Sequence, residues 1–127
     1  MRWCFDSGNH AYADRVLNQL ETQRNLAFVP ILWRYEVSSV LARAQIKGDF
    51  PAQKAADFLK SLAALDIRVD EEGAGRVLTD VHALALKYRL TSYDATYLEL
   101  ALRRNLPLAT LDDELRTAAQ TAGVTVL

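Results

Sequence analysis

Cysteine is almost absent from this chain: Cys4 is the single one in 127 residues. No disulfide can close within the chain, and a reducing compartment is the default. The two histidines, His10 and His82, stand apart from each other and from Cys4, so no Cys/His pair has the spacing of a zinc site. Each histidine reads as a surface or helix-face residue, and Cys4 as a small buried hydrophobe. Only five glycines occur, and no glycine-rich phosphate loop is among them. No apolar run reaches the roughly 18 residues needed to span a bilayer. Nor does a charged start lead into an apolar signal segment. The plain expectation is a cytoplasmic protein with no membrane association. Neither sign of charge dominates, with 15 basic against 16 acidic residues and a formal net charge of −1. Composition therefore lends no support to nucleic-acid binding, although the acids of a carboxylate nuclease would offset a basic patch in the same count.

What is present is apolar residue in quantity: 50% of the chain is hydrophobic and 24% charged. That fits one globular domain over 1–127, long enough to bury a sizeable core. Ala13, Val16, Leu17 and Leu20 predict a helix over roughly 11–22. Leu26 to Leu32 predicts a short strand ending near Pro30. Trp33, Val37, Val40, Leu41 and Ala44 mark a helix that closes near Gly48. Pro51 suits the first turn of another, carried by Ala55, Phe58, Leu59 and Leu62. Ile67 and Val69 alternate with Arg68 and Asp70 as a strand. Val77, Val81, Leu84 and Tyr88 form the next helical stripe. A helix after Thr91 turns Ala95, Leu98 and Ala101 inward. A brief strand at 107–110 follows, then a helix with Leu115, Ala118, Ala119 and Ala122, then Val124 to Leu127. Strands alternating with helices predict an α/β fold with a mostly parallel sheet. In such sheets the functional crevice lies beyond the carboxyl ends of the strands.

Three acids stand out in this frame. Asp94 and Asp112 open two successive helical patterns, and Asp112 falls just past a predicted strand. Glu36 borders the apolar stripe of its helix, with Trp33 at i−3, Val40 at i+4 and no basic residue at i+3 or i+4. An acid so placed is costly unless a cation or a donor meets it. Each has a plainer reading as well. Thr91 and Asp94 have the spacing of a capping box, while Asp112 can cap the last helix and pair with Arg116 at i+4. Together the three fit a magnesium site, which takes one or two carboxylates plus waters and substrate phosphates. Such ions orient a water and stabilise in-line displacement at a phosphodiester without a catalytic histidine.

The runs Trp33-Arg34-Tyr35-Glu36-Val37, Thr91-Ser92-Tyr93-Asp94-Ala95-Thr96-Tyr97-Leu98-Glu99-Leu100-Ala101 and Leu106-Pro107-Leu108-Ala109-Thr110-Leu111-Asp112, with the Ala-rich helix closing on Gly123-Val124, resemble the PIN domain. Within that family the likeness is to the VapC-like toxins of toxin–antitoxin pairs, and it extends from Trp3 to Leu127. The resemblance implies a PIN-like parallel β-sheet flanked by helices and a Mg²⁺- or Mn²⁺-dependent endoribonuclease. It also implies an RNA substrate, frequent homodimerisation and a cognate antitoxin whose tail blocks the active site. Glu36, Asp94 and Asp112 match three of the four metal-holding acids of the family. Ser39 departs from the asparagine that many relatives carry there.

The fourth family acid belongs to the first strand. Phe5-Asp6-Ser7 offers one match, but Gly8, Asn9 and His10 follow where the family continues as an apolar helix. Trp3-Cys4-Phe5 with Tyr12-Ala13-Asp14-Arg15-Val16-Leu17 fits better as the region after the first strand. On that alignment roughly ten residues, the first strand and its aspartate included, are missing upstream of Met1, and a misplaced start codon is the favoured account. A degraded toxin and a chain that re-pairs with a partner are the others. Arg34, Arg43, Lys47, Arg103 and Arg104 are the candidate RNA contacts. The principal alternative is a catalytically impaired PIN remnant that binds an antitoxin or another partner without cleaving RNA. A receiver-type phosphoacceptor fits the α/β alternation but lacks the early acidic pair.

Overall fold

The computed structural model describes residues 26–127. The helix expected over 11–22, together with Cys4, Asp6 and His10, lies outside the described residues. Elements follow in the order β1 (Ala27–Pro30), α1 (Ile31–Ile46), α2 (Ala52–Ala63), β2 (Ile67–Asp70), a 3₁₀ turn (Gly73–Arg76), a π turn (Val77–Val81), α3 (His82–Tyr88), α4 (Ser92–Arg104) and α5 (Asp113–Thr121). The α/β class is as expected, and β1 and β2 pair in parallel as a two-stranded sheet. The described residues fall into two compact units, one of 26–28 and 33–68, the other of 29–32 and 69–127.

In the first unit, Ala27 donates its N–H to the Asp66 carbonyl at 3.0 Å. Pro30 ends β1, where a residue without an N–H no longer needs a ladder partner. On α1, Trp33, Val37 and Leu41 are buried, and their spacing of four places them on one face. The helix closes as glycine closes helices. Gly48 takes a φ of +80°, and its N–H reaches the Gln45 carbonyl at 3.0 Å. Pro51 is the cap of α2 rather than part of its first turn, and its carbonyl accepts from the Ala55 N–H at 3.1 Å. Ala55, Phe58 and Leu62 face inward. Leu59, expected with them, is 50% exposed, because i+4 from Ala55 falls on the flank of a stripe set by i, i+3 and i+7.

The second unit is built around one core. Val81, Leu90, Ala95, Leu98, Ala101, Leu108, Leu115, Ala118, Ala119 and Val124 form one buried cluster, with Leu84 and Tyr88 packed against it. Val77 was expected in that stripe and is exposed instead. The π turn explains the difference: its wider turn shifts the angular register between Val77 and Val81, so Val81 goes in and Val77 goes out. Arg89 and Asn105 end α3 and α4 with φ of 54° each. Asparagine is one of the few side chains that tolerate this conformation. Instead of a strand over 107–110 there is a single parallel bridge from Leu108 to Val126. It is made by Leu108 N–H to Thr125 (2.8 Å) and Leu127 N–H to Leu108 (2.9 Å). The residues that would extend it are committed elsewhere: the Leu106 N–H donates to the Ala101 carbonyl at 2.9 Å, and Thr110 accepts from the Asp112 N–H and from Arg116 at the start of α5.

Candidate active site

Asp94 sits in the first turn of α4, half-buried. Thr91 caps that helix, as its spacing predicted: its Oγ1 accepts from the Asp94 N–H at 3.1 Å. The capping therefore uses the backbone of Asp94. Asp112 caps α5, its Oδ1 accepting from the Leu115 N–H at 2.9 Å. The preceding loop is pinned in turn, since the Asp112 N–H donates to Thr110 Oγ1 at 3.0 Å. The expected ion pair with Arg116 does not form among the described residues. The Arg116 guanidinium donates instead to the Thr110 carbonyl at 3.1 Å. Asp112 thus commits one carboxylate oxygen to its cap. Among the described residues the other oxygen takes no hydrogen bond or ion pair.

One core positions both acids. Ala95, next to Asp94, is 0% exposed and Leu115, three past Asp112, is 3% exposed, and both belong to the same buried cluster. Glu36 belongs to the other unit. It lies half-buried in the first half of α1, between buried Trp33 and Val37. Among the described residues no three histidine, cysteine or carboxylate side chains form a ready cluster for a metal ion. The donor chemistry of Asp94 and Asp112 still fits magnesium or manganese, which are content with one or two carboxylates when water and phosphate complete the shell.

Residues 1–120 match the PIN-domain family. The chain belongs to the PIN-domain family. Glu36, Asp94 and Asp112 all fall inside the matched PIN stretch. The VapC-like character is equally plain: the chain is 32% identical over 103 residues to ribonuclease VapC3 of Pyrobaculum aerophilum, covering 81% of this chain and 76% of that protein.

The candidate RNA contacts of this PIN domain divide in two. Arg34, Arg43 and Lys47 are exposed along and just past α1. Arg103 is not available in that sense. Its side chain is only 14% exposed and is engaged with Asp70, Glu99 and Glu72. Arg104 also pairs with Asp70, at 2.9 Å. Asp70, expected on the outer face of its strand, is buried because these two guanidinium groups and the Gly73 N–H meet its carboxylate. Arg103 chiefly holds its carboxyl below the ordinary value, against the opposing effect of burial, with help from Arg104 and Gly73. Arg103 is correspondingly held in its charged form, with its pKa raised first by Asp70 and then by Glu99. Sequence reading missed this cluster. Its one local signal was Glu99 four residues before Arg103; the partner in β2 is too distant in sequence to be read by spacing.

Proposed function

We propose that this chain is a metal-dependent endoribonuclease, a VapC-like toxin that hydrolyses RNA phosphodiesters. Asp94 and Asp112 anchor Mg²⁺ or Mn²⁺, and Glu36 is the further acid that the PIN resemblance assigns to holding metal. One observation carries this most: two half-buried carboxylates open neighbouring helices that share one core, inside a matched PIN stretch that also takes in Glu36. The similarity to a protein named ribonuclease VapC3 supplies the substrate class.

When bound, the ion supplies charge neutralisation at the scissile phosphate and lowers the pKa of an attacking water. The chain's own residues hold that arrangement in place. The Leu115 N–H fixes one oxygen of Asp112 and leaves the second as donor. The Thr91 cap fixes the first turn of α4 and so the base from which the Asp94 carboxylate extends. The exposed Arg34, Arg43 and Lys47 give the RNA backbone cationic partners, the sequence-independent part of such binding. The same proposal takes 1–127 as one PIN domain in the cytoplasm, forming a homodimer and held inactive by a cognate antitoxin. No helix among the described residues is long and apolar enough to cross a membrane.

The purified chain, incubated with a structured RNA, is expected to cut it in Mn²⁺ or Mg²⁺ and to leave it intact in excess chelator. Cleavage unchanged by the chelator would refute the metal-dependent mechanism. No cleavage under any metal, with retained binding of a partner protein, would move the function to the non-cleaving alternative.

A further inference from the structure

α4 is held in two ways. Along its inner face Ala95, Leu98 and Ala101 are buried in the shared core, and Leu100 is buried as well. Two of the three core residues are alanines, whose short side chains resist sliding or rotation of the helix only weakly. At its last turn the hold is directional. Arg103 Nε donates to both Glu99 carboxylate oxygens at 2.9 Å. Its Nη1 reaches Asp70 Oδ1 at 3.0 Å and Glu72 Oε2 at 3.4 Å, and its Nη2 donates to Asp70 Oδ2. Arg104 Nε adds a bond to Asp70 Oδ1 at 2.9 Å, and the Gly73 N–H one to Oδ2 at 3.0 Å. Every part of this cluster lies in the second unit.

The fit is close around it: a Cβ on Gly73 would stand 2.9 Å from Asp70 Oδ2. Stability alone is a weak reason for such a cluster, because apolar residues of similar volume commonly serve as well as a buried ion pair. A planar guanidinium gripping a carboxylate through two nitrogens supplies what apolar packing does not, a fixed orientation. α4 carries that orientation to its other end, where Asp94 stands. Arg103 is roughly 14 Å of helix away from Asp94, too far to touch an ion held there.

We propose that Arg103 is a positioning residue for the candidate metal site: its clamp on Asp70 sets the rotation and register of α4, and through them the place of Asp94 relative to Asp112. The proposal rests on the metal-binding reading of Asp94 and Asp112. The test is a Mn²⁺ titration followed by electron paramagnetic resonance, on the full chain at a temperature well below unfolding. Folding of each variant is checked by circular dichroism. Asp94→Asn is expected to lose most Mn²⁺ binding. Arg103→Lys, which keeps the charge and loses the fork, and Asp70→Asn, which keeps the shape and loses the charge, are expected to weaken it about tenfold, the low end of what supporting residues cost a metal site. Glu72→Gln, at the exposed rim of the cluster, is expected to bind as the parent does. A purely structural clamp would lower the unfolding temperature and leave the Mn²⁺ affinity of the folded chain unchanged. If Asp94→Asn weakens binding while folded Arg103→Lys or Asp70→Asn binds like the parent, positioning is overturned and the metal reading stands. If Asp94→Asn binds Mn²⁺ as the parent does, both are overturned.

Discussion

Replacing Asp70 by alanine strips partners from four donors at once: Nη1 and Nη2 of Arg103, Nε of Arg104 and the Gly73 N–H. These losses are unequal. The Arg104 side chain is 31% exposed and rehydrates, whereas the Arg103 side chain is 14% exposed and its two terminal nitrogens are left largely dry. Removing one partner of a buried ion pair costs about 3–5 kcal/mol. Arg103 keeps both oxygens of Glu99 and the exposed carboxylate of Glu72, which places Asp70→Ala near about 3 kcal/mol, the lower end of that range. Against the roughly 5–15 kcal/mol of a typical domain this is a large share. Urea unfolding at neutral pH, followed by far-ultraviolet circular dichroism, measures it as a shift in midpoint at constant slope. A loss below about 1 kcal/mol, the range of exposed pairs, would show that Asp70 is not the buried counter-charge of Arg103.

Acid should reveal the same carboxylate. Its folded pKa lies below the ordinary 3.8, so its stabilisation is complete above that value and is lost as pH falls through the lowered one. Urea midpoints of parent and Asp70→Asn should therefore converge as pH drops below about 4. Leu98 is 0% exposed at the centre of α4's inner face, and Leu98→Ala should cost about 3 kcal/mol by the same urea assay. Thr91→Ala removes the cap of α4 and should cost about 1 kcal/mol, again by urea unfolding, with a drop in metal-stimulated cleavage if the first turn frays around Asp94.

Local signals were legible in the sequence where one residue's chemistry decided the outcome. Pro30 ended β1, Gly48 closed α1, Thr91 capped α4, and the 3.6-residue stripes of α1, α4 and α5 named most of the buried residues, though not Glu99 or Leu100. The expectations that failed depended on neighbours. Val77 turned outward because of a π turn that no residue pattern announced. The strand at 107–110 shrank to one bridge between residues from opposite sides of α5. Asp70 looked like the polar half of an alternating strand until two arginines from α4 buried it. At the candidate site, the helix-start positions of Asp94 and Asp112 were readable, and so was the cap made by Asp112. That Arg116 would pass over Asp112 for the Thr110 carbonyl was not. Spacing of four permits an ion pair but does not choose between two acceptors within reach.

The decisive experiment is cleavage of a structured RNA by the parent chain and by Asp94→Asn, each in Mn²⁺ and in chelator, with both proteins shown to be folded. The expected result is metal-stimulated cleavage by the parent and none by Asp94→Asn. Equal metal-stimulated cleavage by the two would contradict the assignment of Asp94 as an anchor of the catalytic ion.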